Sequence, residues 1–220
     1  MSDNKLGASS SILLILAVIV LLPGLGVAIA FFIVGTLLWL RAKEGIVTEV
    51  GFRSPRSWTR TILLGLVLGA SIELSFQVII NPLLEAITRS PLDLGPFDSA
   101  RGDVASLFIY LPIGWVVGGF LEEMTFRGYL ISQIRKLFGG DSTGAVLALI
   151  ITSTSFGLSH LYQGASGVLS TGFIGFILGV IYIKNRYNLW LPIFTHGFVN
   201  TVGFTLIYLN LDLRLQDLFW

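Results

Sequence analysis

The 220 residues are 54% hydrophobic and 12% charged, with a mean hydropathy of +0.82, about half the charge expected of an ordinary soluble domain, where charged residues make up roughly 25%. That composition marks a membrane protein. A net charge of +1 excludes the strongly basic surface that nucleic acid requires, and the lack of cysteine excludes disulfides, thiolate nucleophiles and cysteine-bound zinc, leaving Glu, His, Asn, Ser and Arg to carry any chemistry.

Apolar runs near the ~20 residues that cross a bilayer recur along the chain. The first, residues 12–40, is too long for one straight span and is interrupted at Pro23-Gly24 and Gly26, so it reads as one kinked helix or as a hairpin of two short ones. Lys5 before an apolar stretch and Ala28-Ile29-Ala30 imitate a secretory signal with its cleavage site. A cleaved apolar region is only ~7–15 residues, however, whereas this one continues to Leu40. Further runs cover residues 61–80, 104–121, 145–161, 168–183 and 189–209.

Between the first two runs lie Arg41, Lys43, Arg53, Arg56 and Arg60, the densest basic loop, which the positive-inside tendency places in the cytoplasm. Alternation then puts Arg135-Lys136 and Lys184/Arg186 on the same side. It leaves the acidic segment 81–103 and the loop 162–167 outside. The expected fold is all-α: a polytopic integral membrane helix bundle of about six to seven transmembrane helices. No repeat or low-complexity tract divides residues 1–220, which read as a single transmembrane domain in the cell membrane.

An ionisable group inside a bilayer costs at least ~2.5–3.5 kcal/mol on insertion scales and is by default paired and functional. Three segments hold such groups. In FLEEMTFRGYL (120–130), Glu123 and Arg127 are spaced i,i+4 with the acid first, the favourable order for a helical ion pair. Glu122 points about 100° away around the helix. The plainer alternative is that these charges only mark a membrane boundary. In SFGLSHL (155–161), Phe156 and His160 are spaced i,i+4, and in FTHGFVNTVG (194–203) so are His196 and Asn200. One histidine on an apolar face is ordinarily a packing residue, but both histidines of the chain fall in apolar runs with such a partner, which points to a shared site. Counted from a turn at 139–142, Glu122 is level with residue 158 or 159, beside His160. Counted from 185–188, His196 to Asn200 fall ~6–15 Å from that level at 1.5 Å rise per residue.

The ordered set E-E-x-x-x-R (Glu122, Glu123, Arg127), F-x-x-x-H (Phe156, His160) and H-x-x-x-N (His196, Asn200) resembles the CPBP family: the type II CAAX prenyl endopeptidases and the bacteriocin-processing or immunity proteins. The resemblance covers about residues 104–205, a CPBP-like catalytic core. It implies an all-helical intramembrane endopeptidase acting on a membrane-associated or prenylated, CAAX-like peptide or protein, and on no nucleic acid. Peptide hydrolysis needs an activated water, a proton for the leaving amine and donors for the oxyanion. Glu122 fits the general base, with His160 sharing the water and His196 and Asn200 donating to the oxyanion. Glu123 and Arg127 are supporting groups, as is Phe156.

The same groups offer zinc the set Glu122, His160 and His196, and a metalloprotease is the alternative. His-Glu-x-x-His is absent, Asn is an uncommon zinc ligand, and the preferred reading has no obligatory cofactor. A non-proteolytic immunity or scaffold protein is the remaining alternative. Gly164-Ala165-Ser166-Gly167 matches the G-x-S-G of rhomboid-type serine proteases, but Ser166 is expected in a short loop. Gly140-Asp141-Ser142-Thr143-Gly144 matches G-x-S-x-G without the strand that a nucleophile elbow needs, and Ser142 or Thr143 reads as a helix N-cap. Glu73 is expected mid-span as packing or as a cavity wall. Gly172, Gly175 and Gly179 are expected to allow close helix approach.

Overall fold

The computed structural model describes residues 2–22 and 24–212, with side chains from residue 9 onward. Among the described residues every regular element is helical, as the apolar runs require of a chain that must satisfy its own backbone in lipid. The first run forms a hairpin, α1 (Ser2–Leu21) and α2 (Leu25–Leu40). The chain reverses through Gly24 at φ +80, a conformation open to glycine, and Gly26 lets the arms close: a Cβ there would lie 2.0 Å from the Val18 carbonyl oxygen. Pro23 and the side chain of Lys5 lie outside the described residues.

Helix α3 (Trp58–Thr88) outruns the 61–80 segment at both ends. Ser57 caps it by accepting from the Arg60 N–H at 3.3 Å, and a π-wound turn at Phe76–Ile80 carries it past Pro82, whose missing N–H would otherwise break an α-helical ladder. Helix α4 (Val104–Leu137) starts at Asp103, whose carboxylate accepts from the Ser106 N–H at 2.8 Å. It contains Pro112 and is π-wound from Gly114 to Ile131, so Glu122 and Glu123 lie well inside the helix. Wide helical turns of this kind are rare and occur mostly at functional sites.

Helix α5 (Ser142–Leu158) is capped by Asp141, which accepts from the Gly144 N–H at 2.8 Å, and not by Ser142 or Thr143. Helix α6 (Gly164–Lys184) follows a single 3-10 turn and begins earlier than expected, taking Ser166 into its first turn rather than leaving it in a loop. Helix α7 is Trp190–Tyr208. By length and composition, three stretches are long and apolar enough to cross a membrane: Trp58–Thr88, Val104–Leu137 and Leu161–Lys184. Ser9–Leu21, Leu25–Leu40 and Ser142–Leu158 are shorter apolar helices.

Glycines set how these helices meet. Helix α7 packs on both α3 and α4. On one side, Cβ atoms at Gly65 and Gly69 of α3 would lie 2.6 Å from the Phe194 Cβ and 2.5 Å from the Thr195 carbonyl oxygen. On the other, Gly119 of α4 passes the α7 glycine Gly197: a Cβ at Gly119 would lie 3.3 Å from the Gly197 Cα and from the Ile193 carbonyl oxygen. Helices α5 and α6 approach through Gly172, Gly175 and Gly179 as expected: Cβ atoms at the last two would meet Phe156 at 2.8 Å and Leu149 at 2.3 Å.

The loops sort by charge. Segment 41–57 meets the ends of α4 and α6, with Lys136 Nζ 2.6 Å from Glu49 Oε1 and Arg53 donating to the carbonyls of Arg186 and Tyr187. At the other end of the bundle, Asp93 N–H donates to the Gln163 carbonyl at 3.1 Å and Arg101 binds Asp212 through two contacts of 2.8 and 2.7 Å.

Candidate active site

Three helices bring the motif residues together. Glu123 is fully buried, and its Oε1 accepts from Arg127 Nη1 at 2.8 Å, the pair that the i,i+4 spacing predicts. The same oxygen contacts His196 Nδ1 at 2.7 Å, across from α4 to α7. A carboxylate oxygen bonded to Arg127 accepts here, so the imidazole carries its proton on Nδ1 and presents Nε2 to the opposite side. Glu123 therefore orients His196 as well as pairing with Arg127, a second task that sequence spacing did not reveal. Arg127 is held further by the Gly175 carbonyl at 3.1 Å and lies 4.4 Å over the Phe156 ring.

Glu122 turns away from this cluster, as its position on the helix predicts. Its Oε2 lies 3.8 Å from His196 Nε2, too far for a direct hydrogen bond and close enough for one small molecule to touch both groups. Asn200 donates from Nδ2 to the Gly114 carbonyl at 2.9 Å. That amide has two N–H groups, so one remains for a ligand. Gly118 makes room for the arrangement: a Cβ there would stand 2.3 Å from Asn200 Nδ2 and 3.4 Å from His196 Nε2. The spacing Gly114-x-x-x-Gly118 on α4, a small-residue stripe of the kind that lets helices touch, is the signal by which these two positions can be read from sequence.

His160 departs from its expected place. Helix α5 ends at Leu158, and the His160 backbone at φ −104, ψ 26 has left the helix. Its Nδ1 contacts the Phe156 carbonyl at 2.9 Å, and Ser159 Oγ donates to that same carbonyl at 2.6 Å. Helix ends leave carbonyls without intrahelical donors, and these side chains supply them. A carbonyl can only accept, so Nδ1 is the protonated nitrogen and Nε2 keeps its lone pair. The Phe156 ring joins the two histidines, with centroids 4.9 Å from His160 and 6.1 Å from His196.

Glu122, His160, His196 and Asn200 all line one cavity of about 310 Å³. Its opposite wall is a polar stripe on α3 that recurs every four residues, Glu73, Gln77 and Asn81, so Glu73 is a cavity wall. Gln77 Nε2 donates to the Asp212 carbonyl at 2.7 Å and Asn81 Oδ1 accepts from Ser170 at 2.7 Å, whereas Glu73 has no hydrogen bond or ion pair among the described residues. Apolar side chains including Leu92, Phe97, Val117 and Phe204 complete the lining, which suits a substrate with an apolar body and a few polar groups.

Among the described residues no three of His, Asp and Glu are grouped closely enough to hold a metal ion. Glu122, His160 and His196 line the cavity without forming such a group, and the Nδ1 of each histidine is held by a protein oxygen, which leaves Nε2 free for a ligand. Ser166 is buried and its hydroxyl donates to the Ser90 carbonyl, which accounts for it structurally without a nucleophilic role.

The family model described as Type II CAAX prenyl endopeptidase Rce1-like matches residues 104–202, the stretch that carries all three motif groups. The resemblance read from those motifs holds. No curated protein and no solved structure matches the chain.

Proposed function

We propose that the chain is an intramembrane endopeptidase that hydrolyses a peptide bond of a prenylated or otherwise membrane-associated substrate, with water activated by Glu122. The match of residues 104–202 supports a CAAX-type intramembrane protease in general. The observation that carries the residue assignment is the shared Glu123 oxygen: it fixes His196 so that Nε2 faces Glu122 at 3.8 Å inside the cavity.

Glu122 takes a proton from water as the oxygen attacks the scissile carbonyl carbon. The oxyanion that forms accepts from the free N–H of Asn200 and from His196 Nε2 when that nitrogen carries a proton, with the ring held in place by Glu123 on its other side. As the C–N bond breaks, the proton held by Glu122 passes to the leaving amine. His160, with its Nε2 lone pair free, orients the water or relays that proton. The basic end of the bundle, with Arg53, Arg56 and Arg60, faces the cytoplasm of the cell membrane.

The test is cleavage of a fluorogenic peptide, with and without a farnesyl group, by purified protein in detergent. Glu122→Gln is expected to lower kcat about 100- to 10,000-fold, and Asn200→Ala about 100- to 1,000-fold. Full activity in Glu122→Gln, His160→Ala and His196→Ala together would reject the catalytic assignment. Stoichiometric zinc in the preparation, with activity lost to a chelator and restored by zinc, would replace glutamate-activated water with a metal mechanism.

A further inference from the structure

The polar cavity at the basic end of the bundle is not used by the proposed chemistry. It has a volume of about 510 Å³ and lies between the entry to α3 and the turn joining α6 to α7. Five cationic side chains line it, Arg53, Arg56, Arg60, Lys184 and Arg186, and no acidic residue does. Arg56, Arg60, Lys184 and Arg186 form no ion pair among the described residues, although Glu44 and Glu49 at the same end are paired with Arg41 and Lys136. Cations gathered from two separate segments around a common space repel one another unless an anion enters it.

The walls are built. Arg53 donates from Nη2 to the carbonyls of Arg186 and Tyr187, and Asn188 Nδ2 returns a bond of 2.7 Å to the Arg53 carbonyl. Arg186 and Tyr187 hold φ of +56 and +58 in succession, a left-handed turn uncommon for such residues that persists where its surroundings over-determine it. The clamp by Arg53 is that constraint. It fixes Lys184 and Arg186 opposite Arg56 and Arg60.

The level of the cavity in the membrane follows from its neighbours. Trp58 follows the cap residue Ser57, Trp190 precedes Leu191, and the two rings pack at 5.0 Å. Tryptophan concentrates where headgroups meet hydrocarbon. Below the cations the lining turns apolar at Leu64, continuous with the exposed Leu63 and Val67 on α3. Cations above, an aromatic pair beside them and an apolar face beneath are the complement of a phospholipid with an anionic headgroup.

We propose that this cavity binds the phosphate-bearing headgroup of an anionic phospholipid, whose acyl chains lie along the outer face of α3. Free phosphate shares the headgroup chemistry but would not use Leu63, Leu64 and Val67. Native mass spectrometry of the whole protein, released from detergent containing equal amounts of phosphatidylglycerol and phosphatidylcholine, tests the assignment. The expected result is selective retention of phosphatidylglycerol, undiminished by excess inorganic phosphate. The triple variant Arg56→Gln/Arg60→Gln/Lys184→Gln is expected to lower that retention at least about tenfold, at roughly 1 kcal/mol for each basic residue near a membrane surface. The variant Arg41→Gln/Lys43→Gln, which removes basic residues from the same end but not from the cavity, is expected to retain the lipid. Where the triple variant does not fold, Lys184→Gln alone is expected to show a smaller loss. Equal retention of both lipids, displacement by inorganic phosphate, or equal losses in the two sets of variants would overturn the proposal.

Discussion

Glu123 with Arg127 on α4, and Asp212 with Arg101 at the end of the bundle, are both carboxylate–arginine pairs with contacts of 2.7–2.8 Å. Their surroundings differ. The side chains of Glu123 and Arg127 are 0% and 2% exposed, whereas Arg101 is 21% exposed and shares its charge with the open carboxylate of Asp98. In the inner pair Arg127 also meets the Gly175 carbonyl and the Phe156 ring, and Glu123 Oε1 also holds His196, while Glu123 Oε2 is buried without a hydrogen-bond partner among the described residues. In the outer pair the arginine ties the loop before α4 to the last described residues. One arrangement aims a histidine into a cavity, and the other fastens an edge.

Breaking the inner pair is the largest change expected. Arg127→Met leaves the Glu123 carboxylate buried without its cation, and removal of one partner from a buried pair destabilises by about 3–5 kcal/mol. Thermal unfolding of purified protein in detergent should show this loss together with loss of peptide cleavage. Glu123→Gln/Arg127→Met, which removes both charges, should regain part of the stability and none of the activity, because the carboxylate that fixes the His196 ring is gone. A double variant as unstable as the single one would mean that packing by Arg127, rather than its charge, carries the effect.

Glu122→Gln sharpens the contrast between two adjacent residues of one helix. Glu122 makes no hydrogen bond among the described residues and faces the cavity at 12% side-chain exposure, while its neighbour is sealed. Its replacement should leave the melting temperature close to that of the parent while activity falls about 100- to 10,000-fold. Loss of stability comparable to that of Arg127→Met would show that Glu122 is structural. Glu73→Gln, across the same cavity, reads out the opposite wall: an altered KM with kcat preserved would place Glu73 in substrate binding.

Sequence reasoning reached what depends on local spacing and stopped where the fold brings distant residues together. Glu123 and Arg127 are one turn apart, so their bond could be read from the chain. The bond from Glu123 to His196 spans 73 residues and exists because Gly114, Gly118 and Gly119 let α7 lie close against α4. The apolar runs located the helices, but not their lengths: π-wound turns carry α3 past Pro82 and α4 past the glutamates, and hydrophobicity does not register how the backbone winds. Apolar residues that continue to Leu161 predict a helix through His160. The chain leaves the helix at Leu158 instead, and the histidine and Ser159 side chains take up the Phe156 carbonyl.

At the bundle edge, Arg101→Gln should destabilise by about 1–3 kcal/mol, because it leaves the Asp212 carboxylate, 3% exposed, without its main partner. That is less than for Arg127, since Arg101 is partly exposed and Arg127 is not. Activity per folded molecule should be unchanged, as measured by cleavage rate against the folded fraction.

Asp103 gives the smallest expected effect and marks the outer limit of the comparison, because its partner is a backbone N–H rather than a charge. The Ser106 hydrogen bonds hold its carboxyl below the ordinary value of 3.8. A depressed carboxylate contributes stability above its unfolded pKa and loses it as pH falls through the folded value. The contribution is therefore complete at neutral pH and fades only below about 4. Asp103→Asn keeps an effective N-cap, since asparagine accepts the same N–H, but removes the titration. Melting temperatures of the two proteins should run parallel from pH 7 to 5 and converge as the pH drops toward 3. Parallel curves over the whole range would show that the cap at the start of α4 acts through hydrogen-bond geometry alone, with no part for the charge.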